Sequence, residues 1–172
     1  MAAIAAFPAA RRRETPSIAL GGARQLVPAL LVLVLAWILG SILSALGTAA
    51  VLAGGLGDRL PLAWFPAGVF VLGCLTSFVS GTSWGTMGIL MPLVLPTVGG
   101  MADVQGAPPE LVAQLVPAVI AAVFGGAVFG DHCSPYSDTT IVSALATGIS
   151  TPEHTVTQLP YALLAAAVAL AA

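Results

Sequence analysis

Two aspartates stand in an otherwise apolar stretch of this chain, within the segment Phe129 to Thr140 (F-G-D-H-C-S-P-Y-S-D-T-T). A carboxylate at membrane depth is costly unless it is paired or hydrated, so an embedded aspartate indicates a functional site. Asp131 and Asp138 are seven residues apart and would share one face of a continuous helix. Pro135 lies between them and lacks the N–H that a helix interior needs. We therefore predict a broken helix, with its half-helix ends and free carbonyls facing the break.

Side chains with oxygen atoms crowd this predicted break. They belong to Asp131, Ser134, Ser137, Asp138, Thr139 and Thr140. Hard cations such as sodium are bound by carboxylate, hydroxyl and carbonyl oxygens. A carboxylate that binds either a cation or a proton, but not both at once, supplies the minimum chemistry for antiport. The segment therefore predicts part of a cation pathway through the bilayer, with both aspartates as ion-exchanging groups.

A purely structural interpretation of the same residues is also open. The aspartates could cap helix ends, as Asp138 could do before its two threonines, and the hydroxyls could satisfy broken backbone. His132 and Cys133 suggest a transition-metal site, but adjacent residues point in different directions on a helix and the sequence has no second His/Cys cluster. We therefore expect no metal beyond transported sodium, and nothing in the sequence supports His132 as a proton carrier.

A second polar segment, Ser80 to Thr86, has no charge and separates two apolar arms, Ala67 to Val79 and Met87 to Val98. Each arm is shorter than the ~20 residues that cross a bilayer. We predict a re-entrant hairpin whose tip is buried in protein or lines a wet cavity; the alternative is two full spans joined by a tight turn. The tip would complete the ion site with the hydroxyls of Thr82, Ser83 and Thr86.

Glycines mark both segments. Gly81 and Gly85 permit a positive φ or close backbone approach at the hairpin tip, and they also fit the G-x-x-x-G packing pattern. Gly126 and Gly130 fit the same pattern just before the break, and for that pair we favour helix packing. The two cysteines, Cys74 and Cys133, lie in apolar surroundings and are interpreted as small buried hydrophobes.

The composition predicts a membrane protein. Hydrophobic residues make up 58% of the chain and charged residues 7%, against roughly 25% charged in soluble domains. The net charge of -2 gives no basic face for a nucleic acid. By the positive-inside rule, Arg24 and the arginines at 11–13 place the N-terminus in the cytoplasm.

These elements together predict an all-α, multi-pass helical bundle in the bacterial cytoplasmic membrane. Residues 1–24 form a polar N-terminal leader, and 25–172 form the transmembrane domain. Within that domain we expect a first span from Leu26 to Leu46, a Gly-rich turn with Asp58 and Arg59, the hairpin, a loop over 99–109, a helix from Glu110 to Phe129 that resumes from Thr139 to Gly148, and a last run, Leu159 to Ala172, too short to cross.

The two polar segments resemble those of the NhaC-type sodium/proton antiporter family. The matching residues are G-T-S-W-G-T-M-G-I-L-M-P (Gly81 to Pro92), the segment Phe129 to Thr140, and T-Q-L-P-Y-A-L-L (Thr157 to Leu164), with a weaker match in L-A-W-I-L-G (Leu35 to Gly40). Tyr136 stands where a smaller aliphatic residue is expected. The resemblance implies one half of an inverted-repeat transporter, here the C-terminal half with its last helix cut, and a site completed by the other half.

The function that follows is secondary active transport, namely sodium/proton antiport, by a protein that is not an enzyme and needs no cofactor. Its partners are the lipid bilayer, sodium ions and protons, and a homo-oligomer is open to it. Similar proteins are associated with malate and lactate, so exchange coupled to an organic acid is an alternative, although this half offers no arginine for a substrate carboxylate except Arg59 in a loop. An intramembrane aspartyl protease also uses two buried aspartates. Such enzymes resemble one another in a G-x-G-D motif, whereas here Val128-Phe129-Gly130 precedes Asp131. An inactive membrane fragment is the last alternative.

Overall fold

The protein is described by a computed structural model that covers residues 15–57 and 59–171. Its internal contacts divide the chain into two units, 1–35 and 36–172. The first unit contains the beginning of helix α1 (Thr15–Ala45), which overlaps the predicted first span. Helix α1 starts inside the predicted leader, while Arg11, Arg12, Arg13 and Asp58 lie outside the described residues.

The second unit is built from helices. They are α2 (Thr48–Gly57), a short 3-10 turn (Leu62–Trp64), α3 (Phe65–Ser80), α4 (Ser83–Gln105), α5 (Pro109–Cys133), α6 (Asp138–Thr147) and α7 (Thr151–Ala171). No strand occurs in the described residues. Four stretches are long and apolar enough to cross a membrane: Leu62–Ser80, Ser83–Gln105, Pro109–Cys133 and Thr151–Ala171. A fifth is possible if Trp37–Ala45 and Thr48–Gly57, bent by 67°, form one span. The prediction of an all-α, multi-pass membrane protein is confirmed.

Helices α3 and α5 form the most extensive pair, and they touch backbone to backbone. A methyl group added at Gly126 would overlap the Phe70 carbonyl oxygen, and one at Gly130 would lie 2.6 Å from the Phe78 nitrogen. Small residues are used at membrane helix interfaces because they allow this approach. The predicted packing role of Gly126 and Gly130 is confirmed.

Helix α4 packs beside this pair and contributes the apolar part of the core. Val98 and Met101 of α4, and Val119 and Val123 of α5, have no exposed surface. Where lipid is the surrounding medium, close packing and dispersion hold helices together more than exclusion of water does. These side chains belong to one buried apolar cluster, and their packing holds α4 against α5.

The hairpin arms are longer than the sequence predicted. With the 3-10 turn, the first arm covers Leu62–Ser80, and the second runs unbroken through Pro92 and Pro96 to Gln105. Membrane helices tolerate internal prolines, so α4 ends only at Gly106, which has a φ of 62°. The length argument for a re-entrant hairpin was wrong, and length favours the alternative of two spans joined by a tight turn. The predicted loop over 99–109 shrinks to Gly106, Ala107 and Pro108.

The Gly-rich turn expected after the first span is largely helix α2. One of its glycines packs against α4, since a methyl on Gly57 would lie 2.9 Å from Val104. A methyl on Gly100 of α4 would lie 2.8 Å from Ala53 Cβ. The chain that follows α2 is held by Gln105. Its Nε2 donates to the carbonyls of Gly57 and Leu60, each at 2.9 Å, and its Oε1 accepts from the Leu62 nitrogen at 3.0 Å.

The last helix, α7, is also longer than expected. It begins at Thr151 rather than Leu159 and its 21 residues are sufficient to cross a membrane, so the prediction of a run that is too short was wrong. The cause is a capping box that the sequence analysis missed. The Ser150 nitrogen donates to Glu153 Oε2 at 3.0 Å, and the Glu153 nitrogen donates to Ser150 Oγ at 3.4 Å.

The contact between α3 and α5 predicts that Gly130→Ala is strongly destabilising. Its methyl would lie 2.7 Å from Ser77 Cβ as well as against the α3 backbone, so the helices must separate. We expect a loss of about 3 kcal/mol or more in the free energy of unfolding, read as a lower thermal midpoint of the detergent-solubilised protein. Gly68→Ala on α3 is the matched control because nothing lies within 4 Å of its added methyl. Equal midpoints for the two variants would contradict direct backbone contact.

The length of α4 predicts that its two ends lie on opposite sides of the membrane. In a background with Cys74 and Cys133 changed to alanine, we expect Ser83→Cys and Ala107→Cys to react with a membrane-impermeant maleimide from opposite sides of oriented vesicles. Slow reaction at position 83 from both sides, with normal reaction at 107, would instead restore the re-entrant hairpin.

Candidate ion-binding site

The two polar segments meet where α5 ends and α6 begins. Helix α5 stops at Cys133, and Ser134, Pro135, Tyr136 and Ser137 separate it from α6. This confirms the helix break predicted from Pro135. The Ser134 nitrogen still donates to the Gly130 carbonyl at 3.0 Å, so one more helical hydrogen bond closes the last turn of α5 before the chain turns away.

Asp131 lies in the last turn of α5 and is only 2% exposed. Its Oδ2 accepts a hydrogen bond of 2.9 Å from the Thr139 hydroxyl, which projects from the first turn of α6. The carboxylate therefore lies at the positive end of the α6 dipole, which favours a negative charge. Its other oxygen, Oδ1, is buried and has no hydrogen-bond partner among the described residues.

Ser134, three residues later, also has a buried oxygen without a hydrogen-bond partner in the described part of the chain. This oxygen is Oγ, and the residue is fully buried. Buried polar atoms are almost always hydrogen-bonded because desolvation without compensation costs free energy. Two unpartnered oxygens so close in sequence are the arrangement expected of ligand atoms.

The start of α6 is capped by a hydroxyl cluster. Ser137 is the N-cap: its Oγ accepts from the Thr140 nitrogen at 3.1 Å and donates to Thr140 Oγ1 at 2.9 Å. Ser137 and Thr140 are both buried. Asp138 is the first helical residue instead of the cap, and it is exposed, with its Oδ1 accepting from the Thr139 nitrogen at 2.9 Å. The two aspartates thus differ sharply, since one is buried at the break and the other lies at its surface.

The hairpin turn lies directly against the break. Gly81 ends α3 with a φ of 66°, and a methyl placed on it would lie 3.4 Å from the Tyr136 carbonyl oxygen and 3.5 Å from Ser137 Cα. The hydroxyls of the turn serve the hairpin itself. Thr82 caps α4 by accepting from the Gly85 nitrogen at 3.3 Å, and the buried Thr86 donates to the Thr82 carbonyl at 2.9 Å. Of this predicted set, Gly81 contacts the break, while Thr82, Gly85 and Thr86 shape the turn and Ser83 begins α4 half-buried.

Sequence reasoning missed Ser77. It is fully buried, and its hydroxyl donates to the Ala127 carbonyl at 2.6 Å, which ties α3 to α5 one turn from the break. The available signal was two rows of small residues with a spacing of four. Gly73, Ser77 and Gly81 form the first row, and Gly126, Gly130 and Ser134 form the second. Two such rows indicate a pair of helices in backbone contact.

The residues that suggested a transition metal are arranged for other roles. His132 is exposed, and its Nδ1 lies 2.9 Å from the Val128 carbonyl of its own helix. Cys74 and Cys133 are buried and free, as small hydrophobes would be. Within residues 15–57 and 59–171, no group of three or more His, Cys, Asp or Glu side chains could hold a metal ion.

The hydroxyl cluster predicts that Ser137→Ala lowers stability. The substitution removes the cap of α6, a change worth about 1 kcal/mol in other helices. We expect a lower thermal midpoint of the solubilised protein than for Ser41→Ala, whose exposed hydroxyl bonds only to the Trp37 carbonyl of its own helix. A midpoint for Ser137→Ala at or above that of Ser41→Ala would show that the cap contributes nothing.

Comparison with known proteins gives a consistent picture. The model of the Na+/H+ antiporter family matches residues 2–172. An uncharacterized protein of Haemophilus influenzae is 39% identical over 141 residues, which are 82% of this chain and 25% of the relative. A protein of the same organism named as an uncharacterized Na+/H+ antiporter is 39% identical over 101 residues, 56% of this chain and 19% of the relative. No solved structure matches the chain.

The chain therefore spans a quarter or less of the length of these relatives. The family is one of transporters and not of enzymes, so the protease alternative is set aside. The coarse resemblance drawn from the hairpin and the Phe129 to Thr140 segment is confirmed, and this membrane protein belongs to the Na+/H+ antiporter family.

Proposed function

We propose that this protein takes part in sodium/proton antiport across the cytoplasmic membrane, and that Asp131 is the group for which the two ions compete. The observation that carries the proposal is the environment of its carboxylate. It is buried at a helix break, with one oxygen bonded to Thr139 and the other without a partner in the described part of the chain. Three residues later, the Ser134 hydroxyl is also buried and unpartnered there.

Competition follows from the desolvation of that carboxylate. A buried anion with an unpartnered oxygen is costly, and either a proton or a sodium ion neutralises it. A proton adds to one oxygen directly. A sodium ion needs several oxygen ligands, and Asp131 Oδ1, Ser134 Oγ and carbonyls at the end of α5 are available to it. Because each ion occupies the same oxygen, binding of one releases the other.

Desolvation also favours exchange over leakage. If the site alternates between the two sides of the membrane, its passage with Asp131 charged and empty is the least favourable step. The neutralised forms, with a proton or with sodium, cross more readily. One buried carboxylate thus couples the movement of the two ions.

Asp138 has a different role in this scheme. It is exposed at the start of α6, and its carboxylate is occupied with the Thr139 nitrogen. An exposed charge at the mouth of a site raises the local concentration of cations, and added salt screens that effect. We propose that Asp138 attracts cations and that Asp131 exchanges them.

The NhaC type is the subclass we propose. Its support is the twelve-residue segment Phe129 to Thr140 and the closing Thr157 to Leu164, together with the hairpin sequence. The Na+/H+ antiporter of Haemophilus influenzae is similar over a fifth of its own length, so it supports the family more than the subclass.

The proposal predicts different outcomes for two matched substitutions. The natural full-length protein is reconstituted into proteoliposomes that contain a pH-sensitive dye, and a sodium gradient is then imposed. We expect Asp131→Asn to reduce sodium-driven proton movement to that of protein-free vesicles, because the neutral amide cannot take up and release a proton in exchange for sodium. We expect Asp138→Asn to retain exchange but to need a higher sodium concentration for half-saturation than the wild type. Added choline chloride should remove this difference between variant and wild type, because salt screens the charge of Asp138.

Thermal unfolding of both variants checks that they fold. If the double variant, Asp131→Asn with Asp138→Asn, moves protons as fast as the wild type, the proposal fails. If Asp138→Asn also abolishes exchange in high choline chloride, both aspartates exchange ions, as the sequence alone predicted.

A further inference from the structure

We propose that Thr139 determines which cation the site accepts, by holding one oxygen of Asp131 so that only the other oxygen faces the ion. This inference rests on the proposed exchange at Asp131. It makes Thr139 a positioning residue instead of one of the ion ligands expected from the sequence.

The first step is that the Thr139 hydroxyl crosses the helix break. It donates to Asp131 Oδ2 at 2.9 Å, joining the last turn of α5 to the first turn of α6. Its own backbone is fixed in that turn, where the Thr139 nitrogen donates to Asp138 Oδ1 at 2.9 Å. Asp131 is therefore anchored to the second half of the broken helix through one oxygen.

The second step is an inventory of hydrogens and lone pairs. A threonine hydroxyl has one hydrogen, and here it is directed at Asp131. The same hydroxyl oxygen lies 3.1 Å from Ser137 Oγ, but the one hydrogen of that serine is donated to Thr140 Oγ1 at 2.9 Å. Ser137 is itself fully buried and bonded to Thr140, so it cannot move aside freely. The hydroxyl hydrogen of Thr139 is thus committed to Asp131 Oδ2, whereas Asp131 Oδ1 and Ser134 Oγ have no hydrogen-bond partner among the described residues.

The third step concerns ion size. A carboxylate that is free to rotate can bind a cation through both oxygens, while an anchored one offers a single oxygen at a fixed place. Selection among hard cations depends on cavity size, ligand number and ligand flexibility, and the larger ions accept bidentate carboxylates and more ligands. An anchored Asp131 therefore favours the smaller ion, sodium, over potassium. Release of Oδ2 would let the carboxylate adapt to the larger one.

The test compares one substitution that removes the Thr139 hydroxyl with two that keep the network intact. Thr139→Val has nearly the same shape as threonine, and Thr139→Ser keeps the hydroxyl. Thr147→Val is the matched control: Thr147 lies on the same helix, is exposed, and bonds only to the carbonyls of Ser143 and Ala144. The half-saturating concentrations of sodium and of potassium are measured in the same proteoliposomes.

We expect the preference for sodium over potassium to fall about tenfold in Thr139→Val, the scale of one hydrogen bond to a charged group. Thr139→Ser and Thr147→Val should keep the preference of the wild type. Should the valine variant fail to fold, as thermal unfolding would show, Thr139→Ala removes the same hydroxyl without a branched side chain.

Three results would overturn the inference. An unchanged ratio in folded Thr139→Val, with sodium exchange intact, would sink the role of Thr139 and leave exchange at Asp131 standing. An equal loss of affinity for both ions would show a merely structural contact. A wild-type protein that moves neither ion would refute the proposed function, and the inference with it.

Discussion

The direct contact between the backbones of α3 and α5 is the constraint on which the rest of this structure depends. With no side chain at Gly126 and Gly130, α5 lies against the carbonyl of Phe70 and the main chain around Cys74. The contact continues through the hydrogen bond from Ser77 to Ala127, and it ends with Gly81 beside Tyr136 and Ser137. A turn in one hairpin and a break in another helix are thereby held at the same place, although they lie fifty residues apart.

Most buried side-chain polar groups around that meeting point are hydrogen-bonded. Ser137 caps α6, Thr82 caps α4, and the Thr86 hydroxyl donates to the Thr82 carbonyl in the hairpin turn. Against that background the two exceptions, Asp131 Oδ1 and Ser134 Oγ, stand out. A break that served only to redirect the chain would leave no reason for a buried carboxylate, because an apolar residue would fill the same space without the cost of desolvation.

The sequence predicted the helix break and the buried carboxylate better than the lengths of the helices. Asp131 in an apolar stretch and Pro135 between two aspartates were sufficient to place a helix break and a buried carboxylate, since both rest on local and strong effects. Helix ends depend on weaker signals. The capping box at Ser150 and Glu153 places the start of α7 at Thr151 instead of the expected Leu159. The prolines inside α4 do not end that helix, because membrane helices re-satisfy the freed carbonyls. The difference in burial between Asp131 and Asp138 depends on tertiary packing around the break, which local sequence patterns do not reveal.

In the proposed exchange, that difference also gives the two halves of the broken helix distinct roles. The last turn of α5 supplies the two unpartnered oxygens, while the first turn of α6 supplies the hydroxyl that holds Asp131 and a dipole that favours its charge. Since Thr139 and Asp131 belong to different helices, any shift of α6 relative to α5 alters this hydrogen bond, and with it the affinity of the free oxygen for a cation. A broken helix can therefore couple the occupancy of an ion site to movement in a way that a continuous helix, whose side chains move as one body, cannot.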